Sequence, residues 1–482
     1  MKVLKRNLIG INLFFIVLPI IIFAFGFLKI IYAIPFSVLI SYCYYKVCKT
    51  EKLDENETIF TKKELIISII AILIWLIFSG IGNFSYQNED WHVRNAVLRD
   101  LINYDWPIVF EYEGIKQMGF VYYFAFWLPA ALFGKVFGYV ASNIFLFIWS
   151  FILLLNTFTL IKKYTKKNTF LILFFFIFFS GVDILGNFEN IFNIKHIEWW
   201  NGVCQYSSNT TLLYWVFNQT IMAWLITILC LNCKNKRSVL FISPLIFAYS
   251  PFATIGMIPI SIYLISKDKK IIKTIFSIET VSAIFMLIIF GSFYLSSNST
   301  INVNGWAWEQ EKFNIYKFIL FLILEVLIMA FFILKNKKQR DGLIILTIIE
   351  LLLIPIYKMT PANDFCMRVS IVPLFILMLY FIKYMSDIKE KNRVERIVVI
   401  LTIVLATITP IHEFVRSVNH TFLDDKSINI KDDEIYSIVK PITSEGLELC
   451  LYQFYNQNLD EEFFSKYLMK DKRVLLKFFR GL

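Results

Sequence analysis

Apolar runs of about 15 to 20 residues alternate with short basic segments along most of this chain. Runs of that length fit helices that satisfy their own backbone hydrogen bonds while crossing roughly 30 Å of hydrocarbon. The pattern predicts about 13 spans, at residues 8–27, 30–45, 65–81, 144–161, 170–182, 212–231, 239–249, 252–265, 275–294, 315–334, 343–357, 369–385 and 397–411. We therefore expect an all-α polytopic membrane protein.

The basic residues lie in the loops between the apolar runs. They form clusters at Lys2, Lys5 and Arg6 and within residues 46–63, 162–167, 234–237, 267–270, 335–340 and 389–396. Because cytoplasmic loops carry an excess of Lys and Arg, all of these clusters and the N-terminus are expected in the cytoplasm. The odd number of spans then places the C-terminus on the outer side of the cell membrane.

Composition supports the membrane interpretation. With 57% hydrophobic residues, 50 Phe among 482 positions and a mean hydropathy of +0.62, the chain exceeds what a soluble core absorbs. The loop clusters account for the formal charge of +11, so no nucleic-acid partner is expected. The seven cysteines lie mostly in or beside apolar runs and predict no disulfide framework.

Residues 120–137 do not fit the alternation. The segment is apolar, but counting it as a span would place residues 162–167 on the outer side, against the charge bias. Pro129, Gly134 and Lys135 also interrupt it. We therefore expect an interfacial or re-entrant helix at the outer surface rather than a span.

The chain divides into two predicted domains. Residues 1–411 form a multi-pass membrane domain, and residues 412–482 form a small outer domain, since the tail has mixed charge and modest apolar content. Long polar segments at 85–118, 183–211 and 296–314 also fall on the outer side. Function is therefore expected at the outer surface.

The densest polar cluster follows the third predicted span and contains Glu89, Asp90, His92 and Arg94. Paired carboxylates suit removal of a proton from a hydroxyl group or binding of a divalent cation, and an arginine suits a phosphate. The alternative is a solvated loop that only connects two helices. The position at the membrane interface favours the functional interpretation.

A second polar cluster, Asn363, Asp364 and Arg368, lies in a short outer turn between two apolar spans. Asp364 and Arg368 are four residues apart, so on a helix they would share a face and pair. The alternative is a helix cap with an arginine that reaches towards the interface. Against that alternative, a charged pair at the mouth of an intramembrane cavity marks a substrate path.

A third patch, residues 196–211, combines polar residues with Trp199 and Trp200. Trp faces stack on sugar rings, and the alternative is an aromatic belt at the membrane interface. Glu325 and Glu350 fall within predicted spans, where a carboxyl group is either a proton-relay residue of a transporter or a buried, hydrogen-bonded group. The sequence contains no nucleotide-binding or hydrolase motif.

This layout resembles the GT-C superfamily of integral-membrane glycosyltransferases, which use polyprenyl-phosphate-linked sugar donors. The resemblance covers residues 64–411 as the core and leaves residues 1–48 as an additional N-terminal hairpin. Glu89 and Asp90 stand where acidic residues open the first outer loop of that family, and residues 120–137 resemble its juxtamembrane helices. The resemblance implies that Asp90 is the catalytic base, with Glu89 beside it.

The resemblance implies further contacts with substrate. The back-folding turn that contains Tyr249 is similar to paired short helices that reach the lipid phosphate, and Arg368 would hold the donor phosphate. The remaining substrate contacts are expected from His92, Arg94, Asn363, Asp364, Trp199 and Trp200. Adjacent Glu89 and Asp90 depart from an Asp-x-Asp metal motif, so a divalent cation such as Mg or Mn stays an open expectation.

The expected reaction moves a sugar from a polyprenyl-phosphate donor, held in the membrane lipid, to a glycan, lipid or protein acceptor. One alternative is a transporter or flippase of lipid-linked oligosaccharide, and another is a polymerase of such glycans. An enzyme should place Asp90 and Arg368 together at one outward pocket. A transporter should instead show two pseudo-symmetric halves around a site at the membrane midplane.

Overall fold

The computed structural model describes residues 8–51, 59–112, 115–187, 196–297, 304–360, 363–423, 437–438, 454–456 and 459–470. Within these ranges the chain is almost entirely helical. The N-terminal basic cluster and most of the predicted C-terminal domain lie outside the described residues.

The helices follow the predicted alternation closely. In chain order they are α1 (Leu8–Phe27), α2 (Ile30–Thr50), α3 (Lys62–Ile77), α4 (Asp90–Asn103), α5 (Leu128–Thr165), α6 (Thr169–Phe178), α7 (Asp183–Gly186), α8 (Asn209–Asn232), α9 (Lys236–Ile242), α10 (Pro251–Ser266), α11 (Ile271–Ile275), α12 (Ile278–Leu295), α13 (Ile315–Leu322), α14 (Ile328–Lys335), α15 (Gly342–Leu353), α16 (Asp364–Val369), α17 (Ile371–Ser386), α18 (Arg393–Ala406) and α19 (Ile408–Phe422). A π-helical turn, Ile323–Leu327, joins α13 to α14.

Eight helical segments of the described chain are long and apolar enough to cross a membrane. They are Leu8–Phe27, Ile30–Thr50, Ala125–Thr165, Thr169–Gly186, Asn209–Asn232, Ile278–Leu295, Ile315–Lys335 and Arg393–Phe422. Shorter apolar helices occupy Pro251–Ser266, Gly342–Ile356 and Ile371–Ser386. Large apolar side chains such as Ile31, Val38 and Leu401 are exposed on the spans, which fits a hydrocarbon surround. The predicted number of 13 spans stays a prediction.

The helix ends that carry basic clusters meet at one end of the bundle, which we call the basic end. Ion pairs and hydrogen bonds connect these ends: Lys46 with Glu279, Lys167 with Asp387, Lys335 with Glu395, Asn232 with Leu160, Lys234 with Glu51, and Arg237 with Lys273. Helix α3 begins there, where Glu64 accepts from Thr169, and α17 ends there, next to Asp387. The start of α4 and the start of α16 therefore lie at the opposite end. We call that opposite end the loop end.

Within segment 120–137, residues 128–137 form a short helix that folds back on the rest of α5. The backbone of Gly138 has φ 85° and ψ 175°, a conformation that glycine adopts readily. The Ser142 hydroxyl donates to the Ala130 carbonyl at 2.7 Å, so the two parts of α5 run side by side. Residues 128–137 are about 15 Å long, half the hydrocarbon thickness of a bilayer. That this segment does not cross stays a prediction.

Helices α8 and α17 form the centre of the bundle. Nearly every side chain of both helices is buried, including Trp224 and Phe375, whose rings stack 6.1 Å apart. A helix that is apolar on all sides belongs in the interior of a larger assembly. The amphipathic helices α4 and α19 pack around the loop end of this centre.

Small antiparallel sheets at the loop end were not predicted. Strands β1 (Val109–Tyr112) and β2 (Ile115–Phe120) form a hairpin, and β3 (Gly305–Trp306) pairs with β4 (Tyr357–Lys358). Strand β5 (Tyr455–Asn456), from the C-terminal tail, pairs with β2. The described part of the tail is therefore packed on the helix bundle.

Candidate active site

The first polar cluster lies at the start of α4. The Arg94 Nη2 atom donates to Asp90 Oδ2 at 2.9 Å. The Arg94 side chain is only 7% exposed, and its guanidinium lies against the rings of Trp91 and Phe217, which stack on each other 5.1 Å apart. The Asp90 side chain is 50% exposed. The arginine is therefore fixed from within, while the carboxylate reaches the surface.

The second cluster forms the short helix α16. Asn363 has a left-handed backbone, its side-chain oxygen accepts from Cys366 N, and its Nδ2 donates to the Val203 carbonyl at 2.6 Å. These two hydrogen bonds anchor the N-terminus of α16. Within the helix, Arg368 Nη2 donates to Asp364 Oδ1 at 2.8 Å. The predicted pairing of Asp364 with Arg368 on one helix face is therefore what the structure has.

A tyrosine pair brings the two clusters together. Arg368 Nη1 donates to the Tyr123 hydroxyl at 2.5 Å, and the Tyr122 and Tyr123 rings lie 4.0 Å apart. Burial and Tyr123 raise the pKa of Tyr122 well above its usual range, while Arg368 and Arg94 oppose that shift. Arg368 of α16 therefore contacts the tyrosine pair directly, whereas Arg94 of α4 acts on the Tyr122 phenol only through its charge.

The groups around Arg368 favour the charged form of its guanidinium. Burial alone would lower the pKa of its guanidinium, but Asp364, the two tyrosines and Asp90 raise it above the ordinary value. The negative charge of Asp90 thus acts on Arg368. The direct contacts are those of Arg94 with Asp90 and of Arg368 with Asp364.

Both arginines keep one unused donor. Among the residues that the structure describes, Arg94 Nη1 and Arg368 Nε are buried and have no hydrogen-bond partner. Buried guanidinium N–H groups without an acceptor are costly, so an oxygen-rich anion there would supply what they lack. Planar guanidinium groups match phosphate oxygens in geometry and charge. The arrangement is suited to binding a phosphate.

The other predicted site residues have different surroundings. Glu89 and His92 are exposed at the start of α4, next to Asp90. Trp199 is 57% exposed and packs on His196, whereas Trp200 is buried and donates from Nε1 to Asp183 Oδ1 at 3.2 Å. These side chains are not part of the cluster formed by Arg94 and Arg368 with their carboxylate partners, which we call the arginine cluster.

Tyr249 is fully buried, and its hydroxyl donates to the Ile16 carbonyl at 2.5 Å. The turn around it still lies near the cluster. The Tyr294 hydroxyl donates to the adjacent Ala248 carbonyl, and Tyr294 interacts electrostatically with Tyr123. The Tyr249 hydroxyl is therefore occupied by a backbone carbonyl, and its contact with the donor stays a prediction.

Sequence reasoning gave no site role to Tyr122 and Tyr123. They stand in an aromatic segment, where tyrosine at a membrane interface is common and carries no specific signal. Phe454, from the tail, packs on Tyr122 with ring centroids 4.7 Å apart, and its carbonyl accepts from Val121 N. That contact joins residues more than three hundred positions apart in sequence, so no local sequence pattern predicts it.

The residues of this site do not fit a divalent cation. In the described part of the chain, no group of three or more His, Cys, Asp or Glu side chains is arranged to hold a metal ion. The Asp90 carboxylate is already paired with Arg94, and that guanidinium would repel a cation.

Fold and site together define a helical protein suited to a membrane, with a basic end and a paired-arginine site at the opposite end. Comparisons with protein-family models, curated proteins and solved structures found no match for this chain.

Proposed function

We propose that this chain is a membrane-embedded glycosyltransferase that moves a sugar from a polyprenyl-phosphate-linked donor to a glycan, lipid or protein acceptor. The observation that carries the proposal is a pair of buried arginines, Arg94 and Arg368, each paired with a carboxylate and each with one unused buried donor. A lipid-linked phosphate at a membrane surface is the kind of anion that such a site would hold.

The half-exposed carboxylate of Asp90 supports a role as general base. In the reaction, the acceptor hydroxyl gives its proton to Asp90 and its oxygen forms a bond to the anomeric carbon. The bond from that carbon to the phosphate oxygen breaks, and the phosphate leaves with the electron pair. Arg368 and Arg94 stabilise the departing charge. One direct displacement inverts the anomeric carbon.

The topology that goes with this function places the basic end in the cytoplasm, following the charge bias of membrane proteins. The loop end, with Asp90 and Arg368, then faces outward, and 13 spans bring the C-terminus to the same side. The prenyl tail of the donor stays in lipid while its phosphate meets the two arginines. The acceptor arrives from the aqueous side, where Asp90 is exposed.

Release of polyprenyl phosphate tests the proposal. Purified protein is incubated with a panel of polyprenyl-phosphate sugars, and we expect release with at least one donor. Arg368→Ala should raise the donor concentration needed, since it removes a charge-assisted phosphate contact. Arg416→Ala is the matched control, because Arg416 is also a partly buried, ion-paired arginine but contacts Glu413 instead.

A transporter of lipid-linked oligosaccharide is the second candidate. Carboxyl groups of Asp183 and Glu325 that are buried within apolar span-length segments favour it, since such groups mark ion pathways in transporters. Movement of intact donor across vesicles, without polyprenyl phosphate release, would replace the enzyme proposal by this one. Release of polyprenyl phosphate with growth of the lipid-linked glycan would identify a polymerase.

A further inference from the structure

Two acidic side chains meet inside the helix bundle, away from the arginine cluster. Asp183 begins α7, and Glu325 lies in the π-helical turn between α13 and α14. Their exposed fractions are only 1% and 2%. The two carboxyl groups lie within hydrogen-bonding reach of each other, since Glu325 Oε2 packs on Gly181 and Val182 N donates to the Leu324 carbonyl. Because an ionised carboxylate only accepts hydrogen bonds, one of the two must carry a proton.

The surrounding donors identify which carboxyl group is ionised. Asp183 Oδ1 accepts from Trp200 Nε1 at 3.2 Å, and Asp183 Oδ2 accepts from the hydroxyl groups of Ser180 at 3.3 Å and Thr409 at 3.2 Å. Three donors on one buried carboxylate stabilise its negative form. Asp183 is therefore the acceptor of the pair.

Glu325 lacks comparable support. Within the described chain its Oε1 atom is buried and has no hydrogen-bond partner. Its Oε2 atom lies against Gly181 so closely that an added Cβ there would be 1.8 Å away. An ionised carboxylate without donors in an apolar interior is very costly, whereas the protonated form donates to Asp183. The proton therefore belongs on Glu325.

The backbone is specialised on both sides of this contact. The π-helical turn Ile323–Leu327 interrupts an otherwise α-helical span at Glu325, and such turns are frequent at functional sites. Opposite it, Val182 N donates to the Leu324 carbonyl, which ties the two segments together. Packing alone requires neither a carboxyl group nor a π-helical turn at this position.

Nearby titratable groups supply no free positive charge to balance the pair. Glu198 accepts from Ser208 N, Thr211 and Gln205, and burial together with Asp183 and Glu413 raises its pKa to about 8. The other groups facing the pair from neighbouring elements are Tyr206, which interacts with Glu325 and Glu350, and Glu413 with its partner Arg416, which contacts His196. Arg416 is already paired with Glu413 at 2.6 Å. The carboxyl pair must therefore be neutralised by a proton.

We propose that Asp183 and Glu325 form a proton-binding site that holds one exchangeable proton on Glu325 at neutral pH. The proposed glycosyl transfer does not use this proton. The proton-binding site is therefore independent of that proposed function. Loss of the proton leaves two negative carboxylates in contact. Asp183 would then be pushed away from Thr409, the donor that ties it to α19.

Infrared spectroscopy of the purified protein tests the site, because the carbonyl band of a protonated carboxyl group is separate from that of a carboxylate. We expect the wild type to show this band at neutral pH and to lose it at alkaline pH. Glu325→Gln should remove one such band. Glu350→Gln is the matched control, since Glu350 is also a buried carboxyl group in an apolar helix but lies outside the pair. It should leave the Glu325 band in place.

A second variant covers the case in which Glu325→Gln fails to fold. Asp183→Asn changes the partner of the protonated group and should shift its band rather than remove it. A neutral-pH band that neither substitution alters overturns the proposal. Sodium ions that remove the band at constant pH also overturn it, because they would show a monovalent cation site in place of a proton site.

Discussion

The arginine cluster at the loop end and the carboxyl pair in the bundle both contain buried ionisable groups. The two regions differ in whether those groups stay charged. In the cluster, Arg94 and Arg368 are buried but stay charged, since each has a carboxylate within 2.9 Å. In the pair, Asp183 and Glu325 would both be negatively charged, and a proton bound to one carboxyl group removes one of the two charges. A buried charge survives where a counter-ion accompanies it and is lost where only like charges meet.

The first prediction tests the cluster and has the largest expected effect. Asp90→Asn keeps the volume but removes the base, so sugar transfer should fall by about 100-fold or more. Expression and membrane insertion should stay near wild type, because Asp90 is half exposed. Initial rates with a lipid-linked donor measure the loss. Glu89→Gln is the neighbouring control and should lose much less; equal losses for both would remove Asp90 as the base.

The second prediction tests the packing behind the carboxyl pair. Gly181→Ala places a methyl group on Glu325 Oε2 and should lower the free energy of unfolding by about 1 to 3 kcal/mol. Gly291→Ala is the control, because its added Cβ would meet Phe247 only at 3.7 Å. Thermal unfolding in detergent compares the two variants. Equal midpoints would show that Glu325 does not press on Gly181.

The third prediction concerns Asp100 of α4, a buried carboxyl group that accepts from Ile438 N and Ser437 but has no ion pair among the described contacts. Burial raises its pKa to about 7, against the effect of those donors. Its folded-state pKa lies above the unfolded value, so its contribution to stability is complete below about pH 4 and is lost as the pH rises through 7. The unfolding midpoint of the wild type should fall over that window more than that of Asp100→Asn. Parallel curves would contradict this assignment.

The fourth prediction, with the smallest effect, addresses how α19 holds the loop before Asp90. Its buried polar residues recur every four positions, and each bonds to another element: Thr409 to Asp183, Glu413 to Trp215, Ser417 to Phe78 and Thr421 to Tyr86. Thr421→Val removes the acceptor for Tyr86 N and should cost about 1 kcal/mol. Thr407→Val, which removes a bond exposed to solvent, is the control. Equal unfolding midpoints for the two variants would show that the hydrogen bond between Thr421 and Tyr86 does not stabilise the fold.

Much of the helical layout could be predicted from the sequence. Helix α1 has the predicted bounds, and the basic loops do meet at one end of the bundle. Apolar runs and charge clusters are local signals, and a bilayer leaves the chain few alternatives to helices. The small sheets were missed, since strands of two to six residues carry little periodicity.

The site was predictable only in part. Asp364 and Arg368 pair because helical spacing dictates it, and that pairing follows from the sequence. The meeting of Arg368 with Tyr123, and of Asp183 with Glu325, depends on how distant helices pack. Asp183 was read as the start of a polar outer segment, and only the structure places it against a carboxyl group inside a span.

A double-mutant cycle on donor use shows whether Arg94 and Arg368 hold one phosphate. Polyprenyl phosphate release is measured against donor concentration for wild type, Arg94→Ala, Arg368→Ala and the double variant. We expect each single change to raise the donor concentration needed and the two effects not to be additive, with a coupling of about 0.5 to 3 kcal/mol. Additive effects, or single variants that use donor as the wild type does, would contradict it.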